Sequence, residues 1–192
     1  MKRIIFFLAA ICLALGCKAG DIDNTPVKSF DLQRFLGSWY EVARFDHFFE
    51  RGMSQTKANY VLRDDGDIDV INTGIKAAIE REQSGDYSDS AERKQTRPEV
   101  KNGKPKTAKG LAKLTDIPSL LRVSFFGPFY SDYRVMLVDA DYRYMLIGSG
   151  SDDYLWILSR TPQLADSDRA AILSEAKRRG YDVDKLIWVK QD

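Results

Sequence analysis

The chain has one histidine, His47, in the run Phe45-Asp46-His47-Phe48-Phe49-Glu50. An imidazole beside a carboxylate can act as a general base, and a lone imidazole can serve as the axial ligand of a haem. Neither chemistry has company in the sequence. No serine elbow and no second metal-ligand cluster accompanies His47, and Cys17 is the single thiol outside the apolar leader. The plain reading is a loop histidine flanked by packing aromatics. The chain is therefore expected not to be an enzyme and to need no cofactor.

Glu41 is the more informative acid, because it lies in the alternating stretch Trp39-Tyr40-Glu41-Val42-Ala43-Arg44-Phe45. Side chains alternate across a strand. If Trp39 points inward, so do Glu41, Ala43 and Phe45. A buried carboxylate without a partner is costly, so Glu41 is expected to pair with Arg160 or a tyrosine hydroxyl, or else to meet a ligand head group. Asp132 and Asp153 read as solvated loop charges.

These residues need a scaffold, and the scaffold reads as mostly β. Segments rich in β-branched and aromatic residues recur from Ser38 to Phe45, Thr56 to Leu62, Asp67 to Gly74, Ala108 to Leu114, Leu120 to Phe126, Tyr133 to Val138, Tyr144 to Gly148 and Tyr154 to Arg160. Tight turns fall at Asp64-Asp65-Gly66 and Asp139-Ala140-Asp141, and Ile117-Pro118 breaks the chain between the fourth and fifth strands. After Thr161-Pro162, Asp166 or Ser167 can cap a helix through Lys177 that Gly180 ends, and a short last strand runs from Leu186 to Val189. Closing eight antiparallel strands into an up-and-down barrel removes both exposed edges. A barrel of that size can be filled or can hold one small ligand.

Three further segments surround this domain. Met1-Lys2-Arg3 and the apolar run Ile4 to Leu15 form an export signal, read as residues 1–16. Residues 17–29 are polar and read as a tether, and the barrel domain is read as 30–192. Between 76 and 106 the sequence is dense in charge with no apolar period, which suits a solvated loop, a lid or a partner-binding element. The 29 basic and 28 acidic side chains leave a net charge of +1, so no global field favours nucleic acid. With Cys12 in the leader, no intrachain disulfide is expected in the mature chain.

Two resemblances add to this. Gly16-Cys17 resembles the end of a bacterial lipoprotein signal, although Ala14 and Leu15 depart from its usual residues. That implies lipidation of Cys17 and a membrane anchor, against ordinary signal cleavage nearby. From about residue 30 to 190 the chain resembles the lipocalin family, in its bacterial subgroup related to apolipoprotein D. The match rests on Gly37-Ser38-Trp39, on Ala140-Asp141-Tyr142 in place of the usual T-D-Y, and on Arg160 after the eighth strand. The longer runs LGSWYEVARFDHFFERG, LRDDGDIDVINTG, VSFFGPFY and YLWILSRTP are more specific.

The resemblance implies an all-β, eight-stranded barrel with a C-terminal helix and a ninth strand. Gly37, Trp39, Asp141, Tyr142 and Arg160 would be structural, with Arg160 over the Trp39 indole at the closed end. It implies a fatty acid or lysophospholipid in the lumen, held for envelope maintenance by a protein anchored to the outer membrane on its periplasmic side. Tyr60, Asn72 and Trp156 match lumen positions of relatives, and Ala43, Phe45 and Tyr154 join them by alternation. A homodimer is known among such relatives. The rival reading is a surface interaction protein that works through 76–106, which would have a lumen plugged by side chains. The connections at 46–55, 76–106, 127–132 and 149–153 are expected at the open mouth.

Overall fold

The computed structural model describes residues 22–76 and 103–191. The export signal, Cys17 and most of the charged insertion lie outside the described residues. Eight antiparallel strands follow one another around a closed barrel: β1 (Gly37–Arg44), β2 (Met53–Leu62), β3 (Ile68–Lys76), β4 (Lys104–Leu114), β5 (Leu120–Phe126), β6 (Phe129–Val138), β7 (Tyr144–Gly148) and β8 (Leu155–Ser159). Pairing of β1 with β8 on one side and β2 on the other completes the ring. Every strand the sequence predicts is present. β2, β4 and β6 start three or four residues earlier than the apolar pattern suggests, because polar residues such as Ser54, Gln55, Lys106, Thr107, Ser131 and Asp132 interrupt that pattern near the rim.

β1 is shared unequally. Its first half, Gly37 to Tyr40, pairs with β2, whereas at Ala43 and Arg44 the place beside it is taken by β9 (Ile187–Trp188). The Gln191 amide donates to the carbonyls of Glu41 and Thr56, and the Gln55 amide donates to the Lys190 carbonyl. The C-terminus thus fills the gap where β2 leaves β1.

Two cores share the barrel wall. Inside, Trp39, Ala58, Tyr60, Ile68, Val70, Leu121, Ile147 and Leu158 pack with Phe35 of the short helix α1 (Leu32–Phe35), an element too brief to leave a period in the sequence. Outside, Ile172 and Ala176 of α2 (Asp166–Arg178) pack on Leu146, Leu155, Ile157 and Tyr181. Ala165 holds the N-cap position of α2 without a side-chain bond, so Asp166 and Ser167 fall inside the helix rather than capping it.

The stretch read as a tether is attached to the barrel from its first described residues. Asp23 and Thr25 accept through their carbonyls from the Arg179 guanidinium, and the Val27 amide donates to the Val135 carbonyl at 2.9 Å. Val27 and Phe30 pack on the inner core. Composition could not show this, because the segment is held through backbone groups that any polar sequence carries.

Candidate functional site

At the closed end, Gly37 has φ +89°, a left-handed conformation that side chains other than glycine's rarely adopt. The turn it makes brings the Arg160 guanidinium over the indole of Trp39, 3.7 Å from the ring centroid. Arg160 also donates to the carbonyls of Ser38 at 2.7 Å and Leu36 at 2.9 Å, and Trp39 Nε1 donates to the Phe35 carbonyl at 2.7 Å. The Tyr142 hydroxyl accepts from the Asp31 amide, and the Arg34 guanidinium lies over its ring. Asp141 is exposed, and the turn is bonded instead by Asp139, which accepts from the Asp141 and Arg143 amides.

Above this floor the barrel encloses a cavity of about 860 Å³ that opens at the other end. Ala58, Tyr60, Val70, Val123, Tyr133 and Leu158 form its depths, Tyr154 and Trp156 one wall, and Phe48, Phe49, Phe126 and Phe129 its mouth. Asn72 also lines it, and its Oδ1 is buried with no hydrogen-bond partner. The Tyr60 and Tyr133 hydroxyls bond each other at 2.8 Å, and burial pushes both phenols above their ordinary range. The structure thus brings Tyr60, Asn72, Tyr154 and Trp156 together around one cavity.

Ala43 and Phe45 do not join them. A bulge at Val42 shifts the register between Glu41, which pairs with Leu158, and Ala43, which pairs with Ile157. Past that point the alternation is inverted. Ala43 and Phe45 lie in the outer core with Ile172 and Ala176, and Phe45 meets Tyr181 edge-on at 6.3 Å. The expectation that they line the lumen is corrected by that single extra residue, which no side-chain pattern announces.

The same bulge turns Arg44 inward, where the simple alternation had it facing solvent. Its guanidinium, 2 % exposed, donates to Glu41 Oε1 at 2.7 Å and to the carbonyls of Glu50 and Met53. Glu41 therefore pairs with Arg44 and with the Thr56 hydroxyl, and not with Arg160, which is occupied at the closed end. Glu50, whose carboxylate accepts from Trp156 Nε1 at 3.1 Å, completes the cluster. Burial, and then the neighbouring Glu50 charge, push Glu41 up to about 8 against the pull of Arg44. Burial raises Glu50 as well. One guanidinium facing two such carboxyls leaves a proton on the pair at neutral pH.

His47 is buried beside this cluster. Its ring stacks on Tyr154 at 4.9 Å and Phe49 at 5.4 Å and tilts against Trp156 at 4.6 Å. Burial, followed by the Arg44 charge, lowers its pKa to about 4, so the imidazole is neutral. It packs behind the Tyr154–Trp156 wall and does not line the cavity. Asp132 is also less solvated than expected, because it bridges Arg122 and Arg134 at 2.8 Å each. Among the described residues no cluster of three or more His, Cys, Asp or Glu side chains could hold a metal ion.

Residues 30–101 and 87–191 match the family model described as a lipocalin-like domain. The chain is 46% identical to the outer membrane lipoprotein Blc of Citrobacter freundii over 98% of both chains. It is 38% identical to the outer membrane lipoprotein Blc of Vibrio cholerae serotype O1, over 98% of this chain and 99% of that one. Among solved structures it superposes on insecticyanin from the tobacco hornworm Manduca sexta with a TM-score of 0.62 at 20% identity, covering 89% of each chain. At that identity the last likeness concerns the fold alone.

Proposed function

We propose, from the premise that this chain belongs to the lipocalin family, that its barrel is a carrier or store for a fatty acid or lysophospholipid. A lipocalin-type protein binds a small molecule in its lumen, and the observation that carries the finer reading is the open, apolar cavity of about 860 Å³. That volume falls within the roughly 300–1,000 Å³ of ligand pockets. Each methylene buried against Ala58, Val70 and Leu158 contributes about 0.8 kcal/mol. About fifteen methylenes, roughly 12 kcal/mol gross, give micromolar affinity, roughly −8 kcal/mol net, after an association cost of about 4 kcal/mol. Tyr60, Asn72, Tyr154 and Trp156 are the proposed contacts. The phenol pair and the unbonded Asn72 Oδ1 supply polar groups inside an otherwise apolar space.

The anchor at Cys17, the outer membrane and its periplasmic face, and a role in maintaining the envelope belong to the same proposal. They are supported by the leader sequence and by the similarity to relatives named outer membrane lipoproteins. The rival reading, in which the insertion does the work, requires a plugged lumen. The cavity bounded by the described residues favours the carrier.

The test is native mass spectrometry with lipid extraction on protein expressed in a bacterium with its own leader. The expected result is a copurifying acyl lipid that is lost when Trp156→Glu puts a charge on the wall. A protein that emerges empty, and takes up neither fatty acid nor lysophospholipid, overturns the reading.

A further inference from the structure

We infer that the open end of the barrel docks on a lipid bilayer, with its phenylalanine rim at the boundary between head groups and acyl chains. Three observations converge on this. First, the mouth exposes four large aromatic side chains on two separate loops. Phe48 is 78 % exposed and Phe49 50 % between β1 and β2, while Phe126 is 82 % and Phe129 79 % across the β5–β6 hairpin. All four border the cavity mouth, so they form a broken ring rather than scattered single residues. Apolar groups set this far into solvent mark a surface meant to be covered, and aromatic side chains with a polar surround are what an interfacial membrane contact uses.

Second, the charges at the two ends differ. Lys76 and Lys106 line the same mouth, and Lys104 pairs across the sheet from Lys76, so one arc of the rim is basic. Such an arc is attracted to anionic head groups. Asp152 and Asp153 on the β7–β8 loop keep the opposite arc in the head-group water. The closed end also shows apolar side chains, Val61, Leu62, Leu114 and Ile117, at 39 to 48 % exposure against 78 to 82 % for Phe48, Phe126 and Phe129. Val61 and Leu62 stand beside Asp64, Asp65 and Asp69, three acids against the one cation Arg63 that bridges Asp65 and Asp69, so that groove keeps a net negative charge which an anionic surface repels.

Third, the chain leaves the barrel at the mouth. Asn24 Nδ2 donates to the carbonyl of Ser149, a residue of the cavity rim, and the Asp23 amide donates to Arg179. From there the segment runs down the wall to Val27, bonded to Ser119 and Val135, and on to the closed end, where Asp31 meets Tyr142. Cys17 precedes Ile22 by five residues, which at full extension span at most about 18 Å. An acyl anchor at Cys17 would therefore hold the mouth, and not the closed end, against the membrane that it enters. A ligand could then pass between bilayer and lumen with little of its acyl chain exposed to water. The inference rests on the proposed function only for that anchor and that ligand class, and the aromatic ring and the course of the segment stand apart from both.

The test places indole probes at both ends of the full chain. Phe129→Trp marks the mouth and Ile117→Trp the closed end, each compared with the parent protein and its Trp39, Trp156 and Trp188. The proteins are purified after export and reconstituted with vesicles of phosphatidylethanolamine and phosphatidylglycerol that carry brominated acyl chains. Docking predicts that the probe at position 129 shifts to the blue and is quenched severalfold more than the probe at 117, and that neutral phosphatidylcholine vesicles weaken the difference. Equal quenching at both positions, stronger quenching at 117, or none at either overturns it. So does a blue shift at 129 that depends on protein concentration and not on vesicles, which would make the occupant a second copy of the chain. The lumen reading fails or survives separately. An empty protein whose probe at 129 is quenched loses its ligand and keeps its docking face, whereas a lipid-loaded protein quenched only at 117 does the reverse.

Discussion

The two ends of the barrel solve opposite problems with the same residue types. At the closed end an arginine, a tryptophan and a tyrosine satisfy one another. Arg160 covers Trp39 and donates to the carbonyls of Phe35, Leu36 and Ser38 in the chain entering β1, and Tyr142 receives the Asp31 amide. At the mouth the phenylalanines face solvent, and inside the cavity Asn72 Oδ1 is buried without a hydrogen-bond partner. An end whose polar groups are all bonded contributes stability. An end that leaves apolar surface and bonding capacity unspent is shaped for something that arrives later.

The largest effect that would break this comparison belongs to the closed end. Trp39 is fully buried between Phe35 and the Arg160 guanidinium. Trp39→Ala is expected to cost about 3–5 kcal/mol, the usual range for removing a buried aromatic. Urea denaturation checks it. A loss below about 1 kcal/mol, the size of an ordinary substitution, would mean that the floor of the barrel is not where its stability lies.

Next comes the bulge. Ala43→Leu forces three extra carbons against Ile172 and Ala176 in the outer core and should lower stability by about 1–3 kcal/mol, as overpacking does. Affinity for a fatty acid should remain within about twofold of the parent, a difference of about 0.4 kcal/mol, since Ala43 does not line the cavity. Ala58→Leu fills the cavity instead and should weaken binding more than folding. If the two variants exchange phenotypes, Ala43 faces the lumen after all.

The bulge also decides how much of the molecule was legible in the sequence. Strand order, the closed ring, the C-terminal helix and the Trp39–Arg160 pair could be read because each depends on period, turn residues or a motif. Trp156 and Tyr154 follow from alternation counted back from Arg160, which runs unbroken along β8, whereas Tyr60 and Asn72 were legible only through the resemblance to relatives. Arg44 was missed, and Ala43 and Phe45 misplaced, for one reason: a single residue inserted at Val42 reverses the side chains that follow it along β1, while Glu50 lies in the β1–β2 connection, where alternation gives no direction. Nothing in the run Glu41-Val42-Ala43-Arg44 signals that insertion. A charged residue on a face read as exposed attracts no notice, although Arg44 is the cation that Glu41 needs.

Acid and base then sharpen the contrast from inside the mouth. Glu41 is raised in the fold from 4.5 to about 8, so between those values the folded chain holds a proton that the unfolded chain releases, and stability falls as pH rises. His47 is lowered from 6.5 to about 4, so its contribution is present above 6.5 and is lost as pH falls toward 4. Below 6.5 the two oppose each other. Above it the titration of Glu41 is no longer opposed by that of His47, and the urea midpoint should decline from pH 6.5 to 8. Glu41→Gln keeps an acceptor for Arg44 and removes the titrating group, so its midpoint should decline less over that interval. An unchanged slope would place the titration elsewhere.

The smallest expected effect on folding is at the rim, and its smallness is the point. Phe126 is 82 % exposed and pairs across the hairpin with Phe129. A surface substitution away from buried partners changes stability by no more than about 0.5 kcal/mol. Phe126→Ser should therefore unfold in urea at nearly the parent midpoint, while Trp39→Ala, an aromatic of the same barrel at its other end, does not. An aromatic that can be removed at so little cost to the fold is not held there by packing. If Phe126→Ser proves strongly destabilising, the rim is part of the core, and the mouth loses its claim to be a surface kept open for a ligand and a membrane.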